Sequence, residues 1–516
     1  MKSAIWIMII LLLASTLLVA CSDNEGETPS PTSAITPAPT ASIEPTEEPQ
    51  IGIPHLPVPQ HPFLAPNGKS SMHNDAYMTD TYEISGPLNI NPETIYQSYA
   101  EGPNTCATIS FDSQNRILAT AAAMLGYTIV MIDPDTLDIM ASYPLPPRDH
   151  RDPLFPYGDT SGATYFVLDS QDHLLFTDAE NAIQIVKYSD EKGEFEQLQR
   201  YDLSEYVVPM ESPASDHVQM TIPDWGNEYL WFSTRYGIVG TVDRDTSEVK
   251  TIELKGEELE NSFAVGEDGV YMISDYAMYR FSADESGVPV IDWRTEYDRG
   301  TRIKPSNFNQ GSGTTPQLFG EMVAIGDNAE PQMHVLFLKR SDGSEVCRIA
   351  VFDEGTSTTE NALPGLVREG PNGLEYSVIV DNNYGILRDN IMLPDGSWKN
   401  HEGGLCRIDL IPDGNGGYTC EQVWRNSVES SNVLPKLSLV DGLLYVYTYE
   451  KVPDNEYDYG WFLTAVDFET GDVSFNIYTG RGMKYANFGQ PMSLGPDGEA
   501  YLGTMLGLIC VRDGIQ

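Results

Sequence analysis

Basic residues are scarce in this chain: 30 Lys and Arg stand against 76 Asp and Glu, a formal net charge of −46. A field of that sign repels phosphate backbones, which excludes nucleic acid as a partner, and it opposes docking onto anionic lipid. Long runs of Ala, Glu, Lys and Leu are missing, so a helical architecture is not expected. No Cys-x-x-Cys pair occurs among the six cysteines, which rules out a zinc ribbon. The eight histidines are isolated from one another and form no obvious metal triad. There is no Gly-x-Ser-x-Gly elbow and no His-Glu-x-x-His helix. Gly68-Lys69-Ser70 lacks the upstream glycine of a phosphate loop, since Phe63 stands there, and the turn at Asp413 lacks the glutamate of an EF-hand. No reaction can be named from motifs.

What is present points to export and to β-structure. Hydrophobic residues make up 41% and aromatics 10%, enough for a substantial core, while 44 glycines and 35 prolines favour short strands joined by many turns. Lys2 precedes an apolar run that ends directly at Cys21, the pattern of an export signal. Leu18-Val19-Ala20-Cys21 resembles the bacterial lipobox. That resemblance implies cleavage before Cys21, diacylglycerol on its thiol and acylation of the new amino terminus. Each buried methylene contributes about 0.8 kcal/mol, so two or three chains anchor firmly. From Ser22 to Gln50 proline, threonine, serine and glutamate dominate, which reads as an extended tether. The expected division is a signal over 1–20, a tether over 21–50, an extension packing on the main domain over 51–92, and that domain over 93–516. The address is the bacterial cell envelope, outside the cytoplasm, with the membrane reached through lipid.

The main domain repeats itself. Ser110, Tyr165, Met220, Phe263, Leu437 and Ser493 each open a strand, a polar turn and a second strand, and most continue into a third. About eight such units start near residues 106, 162, 217, 261, 314, 376, 432 and 488. The third strand is often followed by an Asp-x-x-Thr turn and a fourth strand, as in the segment from Ala465 to Gly480. Four strands per unit at this repeat length match the blades of an all-β propeller. The last unit stops one strand short near Asp513, and the alternating segment Glu93–Ala100 is expected to supply the missing strand and close the ring.

Over residues 90–513 this blade pattern resembles the eight-bladed propellers of the quinoprotein-dehydrogenase-like kind. Enzymes of that group carry tryptophan docking motifs, a pyrroloquinoline quinone pocket with calcium, and often a disulfide between adjacent cysteines. Here seven tryptophans are scattered irregularly and no two cysteines adjoin. The quinone is therefore not expected, and fold does not carry function with it.

A site is expected where the loops leading into the first strands converge on one rim. They carry Asn104, Thr105, Thr160, Ser161, Asp216, His217, Asn261, Ser262, Ser312, Thr314, Thr315, Glu375, Ser431, Asn432, Asn487 and Gln490. The same residue types also satisfy backbone groups in ordinary turns. The extension His61–Leu88 holds His73, Asp75, Tyr77, Asp80 and Tyr82, and is expected to fold over one face and plug the channel, with His73 and Asp75 as a ligand or base pair. Glu360, Asn361, Asp381, Asn382 and Asn383 supply oxygens that suit Ca2+ or cap turns. If Cys21 is lipidated, five cysteines are left. Cys406 and Cys420 flank a hairpin turn and are the candidate disulfide.

Two functional readings follow. The leading one is a monomeric binding or assembly module for a small-molecule, glycan or protein ligand. The other is a propeller enzyme, a dehydrogenase, sulfotransferase or lyase, with its site at the channel mouth.

Overall fold

Short strands punctuated by aspartate turns build eight sheets among the described residues, each with four strands in antiparallel succession, one of which gains a short fifth strand at its inner edge. The computed structural model describes residues 52–99, 105–123, 126–148, 161–207, 216–385, 401–452, 459–487 and 489–514. Cys21, Asn104 and Thr160 lie outside them. The sheets are the blades of an eight-bladed propeller. Blades one to seven span residues 105–144, 166–202, 218–253, 264–296, 317–350, 365–425 and 436–481. The eighth takes three strands from 492–512 and its fourth from Glu93–Ser98. That strand runs antiparallel to Gly507–Arg512, with Glu93 opposite Arg512 and Ser98 opposite Gly507. The ring is therefore closed between the two ends of the domain, and no blade keeps an open closing edge.

The acidity has a local purpose. Where the first and second strands of a blade meet, one aspartate accepts hydrogen bonds from amides further along the turn. Asp112 takes those of Gln114 and Arg116, both at 2.9 Å. Asp169 takes those of Gln171 and His173, and Asp224 takes that of Glu228. Between third and fourth strands the Asp-x-x-Thr turn repeats the device, with Asp133, Asp243 and Asp467 accepting from Thr136, Thr246 and Thr470. A carboxylate that bonds backbone donors fixes the turn and so the register of the hairpin.

Burial falls from the axis outward. The innermost strands Phe166–Leu168, Ala264–Gly266, Gln317–Phe319, Lys436–Ser438 and Met492–Leu494 are buried at every residue. The outermost strand Ile139–Pro144 alternates between half-buried and exposed. Apolar faces of neighbouring blades meet in clusters that continue around the ring.

Two expectations are corrected. Cys406 and Cys420 do not pair. In the hairpin of blade six, Cys420 stands opposite Leu410 and Cys406 opposite Arg425, so the two sulfurs are separated along the strand. Cys420 instead bonds Cys347 of blade five, with Cα atoms 6.1 Å apart, and Cys406 is free and buried, as are Cys106 and Cys510. The bond staples the outermost strands Glu345–Ala350 and Tyr418–Arg425 across the gap between blades. The sixth unit also starts earlier than expected. Its innermost strand is Gly365–Gly370, and Glu375 sits in the second strand, where it accepts from Arg368 Nε at 3.1 Å.

Candidate functional site

The extension reaches the ring by the face on which first and second strands are joined. His61 Nε2 lies 3.1 Å from the Asp224 carbonyl in blade three. Phe63 accepts from the Ser170 amide in blade two, and the Lys69 ammonium donates to Asn115 Oδ1 in blade one at 2.7 Å. The chain then turns into the axis and pairs with the inner edges of the blades in succession. The Ser70 carbonyl accepts from the Leu168 amide, and those of Ala76, Tyr77, Thr79 and Asp80 accept from the amides of Val265, Leu318, Gly365 and Leu437. Thr81–Tyr82 continues as a parallel strand beside Leu437 and Ser438. This is a plug made of the protein's own backbone, filling the edge valences that innermost strands would otherwise leave bare. Asn74, Met78 and Asp80 hold positive φ values of 76°, 61° and 55°, conformations the surrounding pairing must enforce.

At the heart of the plug the polar groups are all partnered. Asp80 accepts from Lys436 Nζ at 2.5 Å, from Gln317 Nε2 at 3.1 Å and from His73 Nδ1 at 2.9 Å. Lys436 also donates to Asn74 Oδ1 and to the Met72 carbonyl. Apart from the half-buried Met72, all of these residues are buried. Burial works against charge on Asp80, but Lys436 and His73 outweigh it and hold the carboxyl below its ordinary range. His73 Nε2 faces Thr315 Oγ1 at 3.4 Å, and Thr315 meets Ser262 Oγ at 2.7 Å. His73 and Asp75 are not brought together. Asp75 bonds the Thr79 amide and hydroxyl instead, and burial pushes its carboxyl up to about 7.

The other predicted rim residues divide between turn-building and an open mouth. Asp216 accepts from the amides of His217 and Tyr236. Thr314 bonds Ser312 and the Gly326 amide, and Asn487 bonds the Gln490 backbone and the Gly503 carbonyl. Of the cation candidates, Asp381 and Asn383 meet, but as acceptor and donor at 3.0 Å. The Asn383 oxygen is occupied by Thr359 and the Glu360 amide, and the second donor to Asp381 is Asn361 at 2.9 Å. Among the described residues no group of three His, Cys, Asp or Glu side chains could hold a metal ion. Burial pushes the Asp381 carboxyl up to about 7.

Three residues gather at the mouth without forming such bonds to one another. Glu260 leads into blade four, Glu360 into blade six and Tyr165 into blade two. Burial raises the Glu360 carboxyl well above its usual value, and Glu260 adds to the rise. Burial likewise raises Glu260, opposed by Arg235, and raises the Tyr165 phenol, with both glutamates contributing. Sequence reasoning had singled out Glu360 for another role and had not singled out Glu260 or Tyr165. It also passed over Lys436 and Gln317. The repeated Pro-x-Leu at Pro316-Gln317-Leu318 and Pro435-Lys436-Leu437 was the signal for those two, since a lysine inside an otherwise apolar inner strand needs a buried partner.

No protein-family model matches the chain. An uncharacterised protein of Archaeoglobus fulgidus is 25% identical over 319 residues, which cover 55% of this chain and 59% of that protein. The chain thus spans less than two thirds of that relative. Among solved structures, quinohemoprotein alcohol dehydrogenase from Comamonas testosteroni aligns with a TM-score of 0.48 and 9% identity over 87% of this chain and 81% of its own. The WD40 domain of SCAP from fission yeast gives 0.46 and 8% over 82% and 97%, and BamB from Moraxella catarrhalis 0.35 and 11% over 66% and 91%. At these identities and scores the likenesses say nothing of activity.

Proposed function

We propose that this chain is a lipid-anchored envelope propeller that acts as a binding or assembly module, engaging its ligand at the mouth opposite the plug. One observation carries the reading: the buried polar groups gathered around Asp80 are satisfied by the protein itself, while Asn432 Oδ1 and the side-chain amide of Gln219, which precede or open inner strands, are buried without partners. Unsatisfied buried groups are costly, and their persistence in a rigid ring marks a place where something else completes them.

Anchoring rests on separate grounds. The Leu-Val-Ala-Cys tetrapeptide ends an apolar run that reads as an export signal and precedes a segment rich in proline, threonine, serine and glutamate, which suits a tether. The Cys347–Cys420 bond fits an oxidising compartment outside the cytoplasm. Mass spectrometry of the membrane fraction should find acyl chains on Cys21, and Cys21→Ala should release the protein. Unchanged membrane association of that variant would defeat the anchor.

The module reading is tested by photo-crosslinking in the native envelope. A photoreactive residue at position 165 should capture a discrete species, and one at position 140, on the exposed outer strand of blade one, should not. Equal capture at both positions, or none at the mouth, would count against it.

A further inference from the structure

An asparagine followed by glycine is open to attack by its own backbone, because glycine has no Cβ to shield the amide nitrogen that would reach the side chain. The pair occurs three times in this chain, at Asn67-Gly68, Asn372-Gly373 and Asn415-Gly416. The attack needs an asparagine side chain that can turn and a glycine amide that is not already hydrogen-bonded. The three pairs differ on both counts.

Asn67 belongs to the segment that leads into the plug, and its groups are engaged. Its Nδ2 donates to the Val58 carbonyl at 3.0 Å and its amide to Gln60 Oε1 at 2.8 Å, while the Gly68 amide donates to the Asn74 carbonyl at 2.7 Å. Asn372 is exposed, but Gly373 opens the second strand of blade six and stands opposite Gly370 across a two-residue turn. The ladder therefore fixes the backbone directly after that asparagine.

Asn415 stands at the tip of the next hairpin of the same blade, between the strands Leu405–Pro412 and Tyr418–Arg425. It is exposed, as are Asp413, Gly414 and Gly416. A single oxygen, Asp413 Oδ1, holds the turn by accepting from the amides of Asn415 at 2.7 Å and Gly417 at 2.9 Å. The Gly416 amide between them is passed over, and among the described residues it makes no hydrogen bond. A Cβ on Gly414 or on Gly416 would meet nothing within 4 Å, so no neighbour crowds the loop. Asn415 Nδ2 reaches the Asp413 carbonyl at 3.3 Å, a long contact that a small rotation breaks.

We infer that Asn415 is a site of spontaneous deamidation. The Gly416 nitrogen gives its proton to solvent base and bonds to Asn415 Cγ, and the Cγ–Nδ2 bond breaks with ammonia as the leaving group. Water then opens the cyclic imide at one of its two carbonyls. Opening at the side-chain nitrogen bond leaves aspartate, and opening at the main-chain side leaves an isoaspartyl link. No electrons are transferred. Either product adds one negative charge to a chain already at −46, on the hairpin whose outer strand carries the staple from Cys420 to Cys347. The inference is independent of the binding reading.

The test is peptide mapping by mass spectrometry after the full chain has been aged at pH 8, once folded and once in urea. A protected pair must open locally before it can react, so in the folded protein Asn415 should convert about tenfold faster than Asn67 or Asn372, or more. In urea the three rates should converge, which shows that the fold and not the neighbouring sequence sets the order. Gly416→Ala should slow conversion at position 415, with circular dichroism confirming that the variant is folded. Equal rates at the three pairs in the folded protein, a faster reaction at Asn67 or Asn372, or an Asn415 that converts in urea but not when folded would each overturn the assignment.

Discussion

The two faces of this ring treat buried polarity in opposite ways. On the plug face, Asp80 is surrounded by Lys436, Gln317 and His73, each within hydrogen-bonding distance. At the mouth, the Asn432 side-chain oxygen and both side-chain amide atoms of Gln219 are nearly as buried yet lack partners. The contrast separates polar groups that hold the fold from those held ready by it. A satisfied network rigidifies, and breaking it should cost stability. An unsatisfied group is already costing stability, and removing it should cost nothing or give some back.

The largest expected effect comes from breaking the first kind. Lys436→Met leaves the Asp80 charge buried without its main counterion and should destabilise the protein by about 3–5 kcal/mol in urea or thermal unfolding. Adding Asp80→Asn to that variant should restore a good part of the loss. A Lys436→Met protein of wild-type stability would erase the distinction between the faces. Away from both faces, Cys347→Ser opens a bond that spans 73 residues between blades five and six and should cost about 2–4 kcal/mol.

A smaller effect, with a sign set by pH, belongs to Asp75. Its folded value of about 7 lies above the ordinary 3.8, so the folded state holds the proton more tightly than the unfolded chain does. Stability from this group is complete below about pH 4 and is lost as pH rises toward 7. Asp75→Asn should therefore match wild type near pH 4 and melt at a higher temperature at pH 8, as followed by calorimetry. The smallest effect is that of Glu260→Gln, whose carboxyl burial also disfavours but Arg235 partly supports. A slight gain in melting temperature at pH 8 and none at pH 5 is expected. A large loss at either pH would move Glu260 into the structural class.

Much of the ring was legible because its signals are local. The Asp-x-x-Thr turn closes its hydrogen bonds within a few residues, as at Asp243 and Thr246, so it is visible in sequence. The closing strand was legible for a related reason, since Glu93–Ser98 alternates and the last unit lacked a strand. Partners chosen by packing between blades were not legible. Cys420 found Cys347 at a separation of 73 residues because two outer strands lie side by side, and its own hairpin register placed Leu410 opposite instead of Cys406. The short inner strand Gly365–Gly370, bounded by glycines and carrying Arg368 and Glu369, resembled a turn and shifted the sixth unit. The plug contacts run largely through backbone carbonyls, which any side chain can accompany. His73 was therefore recognisable as chemistry-capable, but its partner Asp80 was not separable from Asp75.

The sealed face is the premise behind the open one, and native-state hydrogen exchange of the Val265, Leu318, Gly365 and Leu437 amides tests it most directly. If the plug is an integral part of the ring, these four amides exchange together, at rates set by global unfolding. Exchange within minutes under native conditions, while second-strand amides such as Leu175 and Met272 stay protected, would show that the plug leaves its channel and contradict the account.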